Sequence, residues 1–142
     1  MQLNIMDYSV ENIEGILVLT VKLQRATFIE SEYFQKLLDG FISEGNKKLI
    51  IDLGATNFID PVFLGSIIAE YRKLVAIGGE IKLVKPSLDS SNLNIIHSLR
   101  IFEIFNSKEE AIKSFKYIFT SPLGDIISFG NFESGNLSYS FS

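Results

Sequence analysis

Between Ile16 and Phe115, β-branched apolar runs alternate with stretches of helical spacing, joined by short connections. That alternation leaves few options: helices must cross over between neighbouring strands and pack on a parallel or mixed sheet, with right-handed connections. Ile16 to Leu23 (ILVLTVKL), behind Gly15, reads as a strand, and Gln2 to Tyr8 is a candidate partner for it. From Thr27 the period changes. Phe28, Phe34, Leu37, Leu38, Phe41 and Ile42 are expected on one side of a helix ending near Gly45-Asn46, and Thr27 with Glu30 has capping-box spacing. Lys48 to Leu53 (KLIIDL) suits a central strand covered on both faces.

Asp60-Pro61 marks the next helix start. An aspartate there accepts backbone N–H groups that have no helical partner, and a proline at the first helical position sacrifices no hydrogen bond. Leu64, Ile67, Ile68, Tyr71 and Leu74 continue at helical spacing to a stop at Gly78-Gly79. Glu80 to Val84 and Phe102 to Phe105 read as strands, and Leu88 to Leu99 and Ser107 to Phe115 as helices, the last capped by Ser107 with Glu110. The expected fold is α/β, a mixed sheet of four to five strands carrying about four helices.

The 142 residues suit one domain, here 1–116, followed by an extension, 117–142, in which no Lys or Arg occurs. Ile127 to Phe132 and Leu137 to Phe141 flank Glu133-Ser134-Gly135-Asn136, so the extension is expected to form a β-hairpin that packs on the domain or joins two copies of it. The absence of cysteine excludes disulfides, thiolate metal sites and cysteine nucleophiles, and suits the cytoplasm. Met1 to Met6 lacks the features of a signal peptide, and no apolar run approaches the roughly 18 residues of a membrane span. A net charge of −4 without a basic cluster argues against nucleic acid as a partner.

The segment Lys48 to Leu83 resembles the central part of STAS domains, the family of bacterial anti-sigma factor antagonists. Its order is a strand ending near Asp52, a Phe-Ile-Asp turn, a helix with Leu-Gly and Tyr-Arg-x-Leu, a Gly-Gly break and another strand. The resemblance covers about Ile13 to Phe115 and implies a STAS-like fold that binds a protein partner, an anti-sigma factor with serine-kinase activity. Family members usually read Asp-Ser-Ser-Gly-Leu-Gly at the turn, and the second Ser is phosphorylated. Here the six residues are Asp60-Pro61-Val62-Phe63-Leu64-Gly65, so Val62 occupies the phosphoacceptor position and has no hydroxyl to modify. The usual Gly-Glu-Leu-Asp of the first loop is replaced by Val21-Lys22-Leu23-Gln24.

The partner-binding residues implied by this resemblance are Gln24, Arg25, Thr27, Asp60, Pro61, Val62, Phe63, Leu64 and Ser66. Val62 and Phe63 offer either a constitutive apolar contact or inward packing, and the sequence leaves both open. Ser66 and Thr56 are the nearest substitute phosphoacceptors. Without a phosphoswitch, a structural subunit docking on another complex, such as a lipid-transporter ATPase, is the second reading.

Enzymatic chemistry finds little support. His97, the one histidine, has no carboxylate at clear ligand spacing, so no metal, cofactor or triad is expected. Asp60 is accounted for as a helix cap. Glu109-Glu110 and the pair Asp7 and Glu11 suit helix dipoles or solvent, and Glu70, Arg72 and Lys73 are expected on a solvated helix face.

Overall fold

The computed structural model describes residues 5–87 and 100–116, together with the backbone of 118–120 and 126–128. Twelve elements follow one another: β1 (Tyr8–Ile13), β2 (Ile16–Val21), β3 (Arg25–Ala26), α1 (Phe28–Ser43), β4 (Lys48–Asp52), β5 (Phe58–Ile59), α2 (Pro61–Ala76), β6 (Glu80–Val84), β7 (Glu103–Phe105), α3 (Lys108–Phe115), β8 (Ile118–Thr120) and β9 (Ile126–Ser128). A five-stranded mixed sheet runs in the order β1-β2-β4-β6-β7, with β1 antiparallel to β2 and every other pairing parallel.

The alternation along each strand divides the sheet into two faces. Leu17, Leu19 and Val21 of β2, Leu49 and Ile51 of β4, and Ile81 and Leu83 of β6 join the buried side chains of α1 and α2 in the main core. Ile16, Val18, Ile50 and Val84 point the other way and meet Ala111 and Phe115 of α3. β2 and β4 are therefore apolar on both sides, which is why their sequences are continuous runs of Ile, Leu and Val.

The strand paired with β2 is Tyr8–Ile13, not the expected Gln2 to Tyr8. The reason is local: Glu14 and Gly15 take left-handed backbone (φ 52° and 89°), and the Gly15 N–H donates to Asn12 Oδ1 at 3.0 Å, closing a tight hairpin directly behind β2. Three helices and all five strands of the main sheet lie within the described residues. The expected helix Leu88 to Leu99, and with it His97, lies outside them. In the extension, β8 pairs antiparallel with β9, a pairing the sequence reading did not include; of the expected hairpin, the turn at 133–136 and the arm Leu137 to Phe141 lie outside the described residues.

α1 and α2 lie side by side on the main-core face. Phe63, Leu64, Ile67 and Leu74 form the buried stripe of α2, each worth about 1.5–3 kcal/mol relative to exposure. Glu70 belongs to the same stripe and is fully buried, in contrast to the solvated position expected for it. Its Oε2 accepts from Gln35 Nε2 and Lys73 Nζ, both at 3.2 Å, and Lys73 also reaches Asp39 at 3.1 Å, which ties the two helices together. The Lys73 ammonium holds the Asp39 carboxyl below its ordinary value, and the hydrogen bonds to Asp39 and Glu70 raise that of Lys73.

Candidate functional site

Two short strands absent from the sequence reading build the site. β3 pairs in parallel with β5, placing Arg25 opposite Phe58 and Ala26 opposite Ile59. The Gln24 carbonyl accepts from Asn57 N (2.8 Å) and Phe58 N (3.1 Å), and the Asp60 N–H donates to the Ala26 carbonyl at 3.0 Å. These bonds bring two helix starts together, because β3 leads into α1 and β5 leads into α2.

The starts are capped jointly. Thr27 and Glu30 form the expected capping box, with Glu30 Oε1 accepting from the Thr27 N–H at 2.9 Å and from its hydroxyl at 3.0 Å. Asp60 caps its own helix by accepting from Phe63 N through Oδ1 at 2.8 Å. Its other oxygen, Oδ2, accepts from Phe28 N at 2.8 Å, so one carboxylate serves the first turns of α1 and α2. Both carboxylates are thus engaged in holding the end of the molecule together.

Around this double cap stand three large apolar side chains left exposed among the described residues. Phe28 is 64% exposed, Ile29 73% and Val62 55%. They occupy equivalent places, the first and second positions of α1 and the second of α2. An open cavity of about 460 Å³ lies beside Phe28 and Ile29, which line it together with Arg25, Thr27, Glu30, Phe58 and Asp60. The Arg25 guanidinium lies 4.3 Å from the centroid of the Phe58 ring, within cation–π range.

The residues named from the sequence separate into two groups. Gln24, Arg25, Pro61 and Val62 are exposed at this end, with Thr27 and Asp60 between them as caps. Phe63, Leu64 and Ser66 are not available to a partner: they are 0%, 2% and 5% exposed. The helical period explains it, since Phe63, Ser66, Ile67, Glu70 and Leu74 share the stripe facing α1 and the sheet, while Val62 lies about 100° away. Phe63 stacks on Phe34 at 4.6 Å between ring centroids. The Ser66 hydroxyl is within 3.3 Å of the Ser31 and Val62 carbonyls, and Thr56 is fully buried. Both substitute hydroxyls are buried.

Phe28 and Ile29 were missed. Phe28 was assigned to the buried stripe of α1, yet it stands six residues before Phe34, a spacing that places it well off that stripe. The capping box at Thr27 already fixed Phe28 and Ile29 in the first turn, where side chains project past the end of the core.

Further along the aromatic row, Phe34 stacks on Tyr8 at 5.5 Å, and Tyr8 on Tyr33 at 5.8 Å. Burial, reinforced by the nearby charges of Asp7 and Glu30, pushes the Tyr8 phenol well above its ordinary value. Among the described residues, no three His, Asp or Glu side chains stand together as a metal site, and no helix is long and apolar enough to cross a membrane.

A family model, the STAS domain, matches residues 7–111, and the chain belongs to that family. Solved structures with the same fold include a putative anti-sigma factor antagonist from Thermotoga maritima. It is 21% identical, with a TM-score of 0.64 over 75% of this chain and 92% of that one. An anti-sigma factor antagonist from Mycobacterium paratuberculosis is 19% identical, with a TM-score of 0.65 over 75% and 91%. The Bacillus cell fate determinant SpoIIAA in its phosphorylated form is 18% identical, with a TM-score of 0.62 over 77% and 99%. No curated protein matches the chain by sequence.

Proposed function

We propose that the chain is a protein-docking module of bacterial signalling that engages its partner through the end where α1 and α2 begin, without a phosphoswitch and without catalysis of its own. The observation that carries this reading is the exposure of Phe28, Ile29 and Val62 together around Asp60. Single exposed apolar residues are ordinary on protein surfaces, but three large ones at adjoining helix starts form a contact patch. At the position where family members carry the phosphorylated serine, Val62 adds to that patch instead of gating it.

The partner is an anti-sigma factor of the serine-kinase type, acting with this chain in the cytoplasm. The missing hydroxyl also suits a permanent subunit of a larger assembly such as a lipid-transporter ATPase, since a permanent subunit needs no switch. A photo-crosslinking residue placed at position 62 in the native cells should yield one discrete partner, whose identity separates the two assignments. The same residue at position 36, on the exposed Glu32–Lys36 side of α1, should yield none. Equal crosslinking at both positions would overturn the docking face, and phosphate on Ser66 or Thr56 in the captured complex would overturn the unswitched mode.

A further inference from the structure

The charge left over at the docking end specifies what the partner brings. Three charged residues line the cavity, Arg25, Glu30 and Asp60. Both acids accept from the helix starts, Glu30 from the Thr27 N–H and hydroxyl and Asp60 from the first turns of the two helices, where the partial positive charge of the helix N-termini offsets theirs. Arg25 is exposed and, among the described residues, makes no ion pair; its guanidinium lies over the ring of Phe58. A guanidinium held against an aromatic face keeps its donors directed outward in a fixed plane, the arrangement that accepts a carboxylate through two parallel hydrogen bonds. Phe28, Ile29 and Val62 provide apolar contact beside it.

We infer that the partner presents an acidic and apolar peptide segment, with an Asp or Glu carboxylate on Arg25 and a neighbouring large apolar side chain against Phe28, Ile29 and Val62. This rests on the docking face proposed above and adds the chemistry of its occupant. The chain carries a net charge of −4, so the attraction is local to Arg25 and is not a consequence of overall charge.

The test is a selection of short random peptides displayed on phage against the immobilised full-length chain. Enriched sequences should carry Asp or Glu within a few residues of Leu, Ile, Phe or Met. Binding of a selected peptide should fall about tenfold with Arg25→Glu, and selection on that variant should switch to Lys or Arg at the acidic position. Because Arg25 is exposed, its substitution leaves the core intact, and Arg25→Lys, which keeps the charge but loses the planar fork, should fall between the two. Peptides lacking acids, peptides indifferent to Arg25→Glu, or no enrichment would overturn the inference, as would Arg25-dependent binding to phosphatidylserine vesicles in place of peptides. Crosslinking at position 62 with peptide binding indifferent to Arg25 leaves the docking face standing and removes only its acidic occupant.

Discussion

At the scale of single residues, Asp60 is the side chain on which the site depends. An ordinary N-cap is worth about 1 kcal/mol, and Asp60 accepts from the N-termini of two helices at 2.8 Å each. Asp60→Ala should therefore cost about 2 kcal/mol in urea unfolding, against about 1 kcal/mol for Thr27→Ala, with Asp60→Asn between them because its amide offers one acceptor oxygen. Equal losses for Asp60→Ala and Thr27→Ala would show that the second cap contributes nothing. Glu80 acts through a different physics. Burial raises its carboxyl above the ordinary value, with repulsion from Glu103 adding to the effect and Lys82 opposing it. The folded state then holds this proton more tightly than the unfolded chain. Stability gained from Glu80 grows as pH falls from the raised folded value to the ordinary one, and is lost as pH rises again through that window. Glu80→Gln should be more stable than the parent at neutral pH, and the difference should shrink on acidification. A difference that stays constant with pH would refute the buried-carboxyl account.

At the scale of elements, the strongest periodic segments were legible and the shortest were not. β6 falls where Glu80 to Val84 was read, and α1 and α3 follow Thr27 and Ser107 because a capping residue marks a boundary in the sequence itself. β3 and β5, two residues each, carry no period at all, and their pairing is a tertiary event that joins positions more than thirty residues apart. The site was legible to the same extent. Asp60 is marked by a local capping pattern and Val62 by the resemblance to the family's turn, whereas Arg25 over Phe58 and the bond from Phe28 N to Asp60 depend on that pairing. The glycine inside α2 and the one just past its end also divide in an informative way. A Cβ on Gly79 would lie 2.4 Å from Leu74 Cδ1 and 2.8 Å from the Lys47 carbonyl oxygen, whereas one on Gly65 would meet nothing within 4 Å. Gly79→Ala should cost about 1–3 kcal/mol by forcing the α2 terminus away from β4, and Gly65→Ala should be neutral or stabilise α2 by about 0.5–1 kcal/mol. Thermal unfolding of the two variants, expected to move in opposite directions, distinguishes close approach from a general requirement for glycine.

At the scale of the whole molecule, the described residues form two apolar clusters, α1 and α2 packing on one face of the sheet and α3 on the other, with β2, β4 and β6 contributing to both. α3 supplies Ala111 and Phe115 to the smaller cluster, and the buried Lys82 reaches across to it, donating to Ser114 Oγ at 2.6 Å with its ammonium 4.3 Å from the Phe115 ring. This anchoring makes Phe115 part of the domain, and the family match to residues 7–111 ends within the same helix. Beyond it, β8 and β9 pair with each other and with no strand of the five-stranded sheet. The domain boundary at 116 follows as a proposal with a direct test. A chain ending at Lys116 should keep a single cooperative thermal transition, shifted by no more than about 3 °C, because the described strands beyond it, β8 and β9, pair with each other outside the five-stranded sheet. Size-exclusion chromatography of both chains decides the role of residues 117–142: a dimer present only in the full-length chain assigns them to self-association. Loss of the cooperative transition would instead make the extension part of the domain and move the boundary past 116.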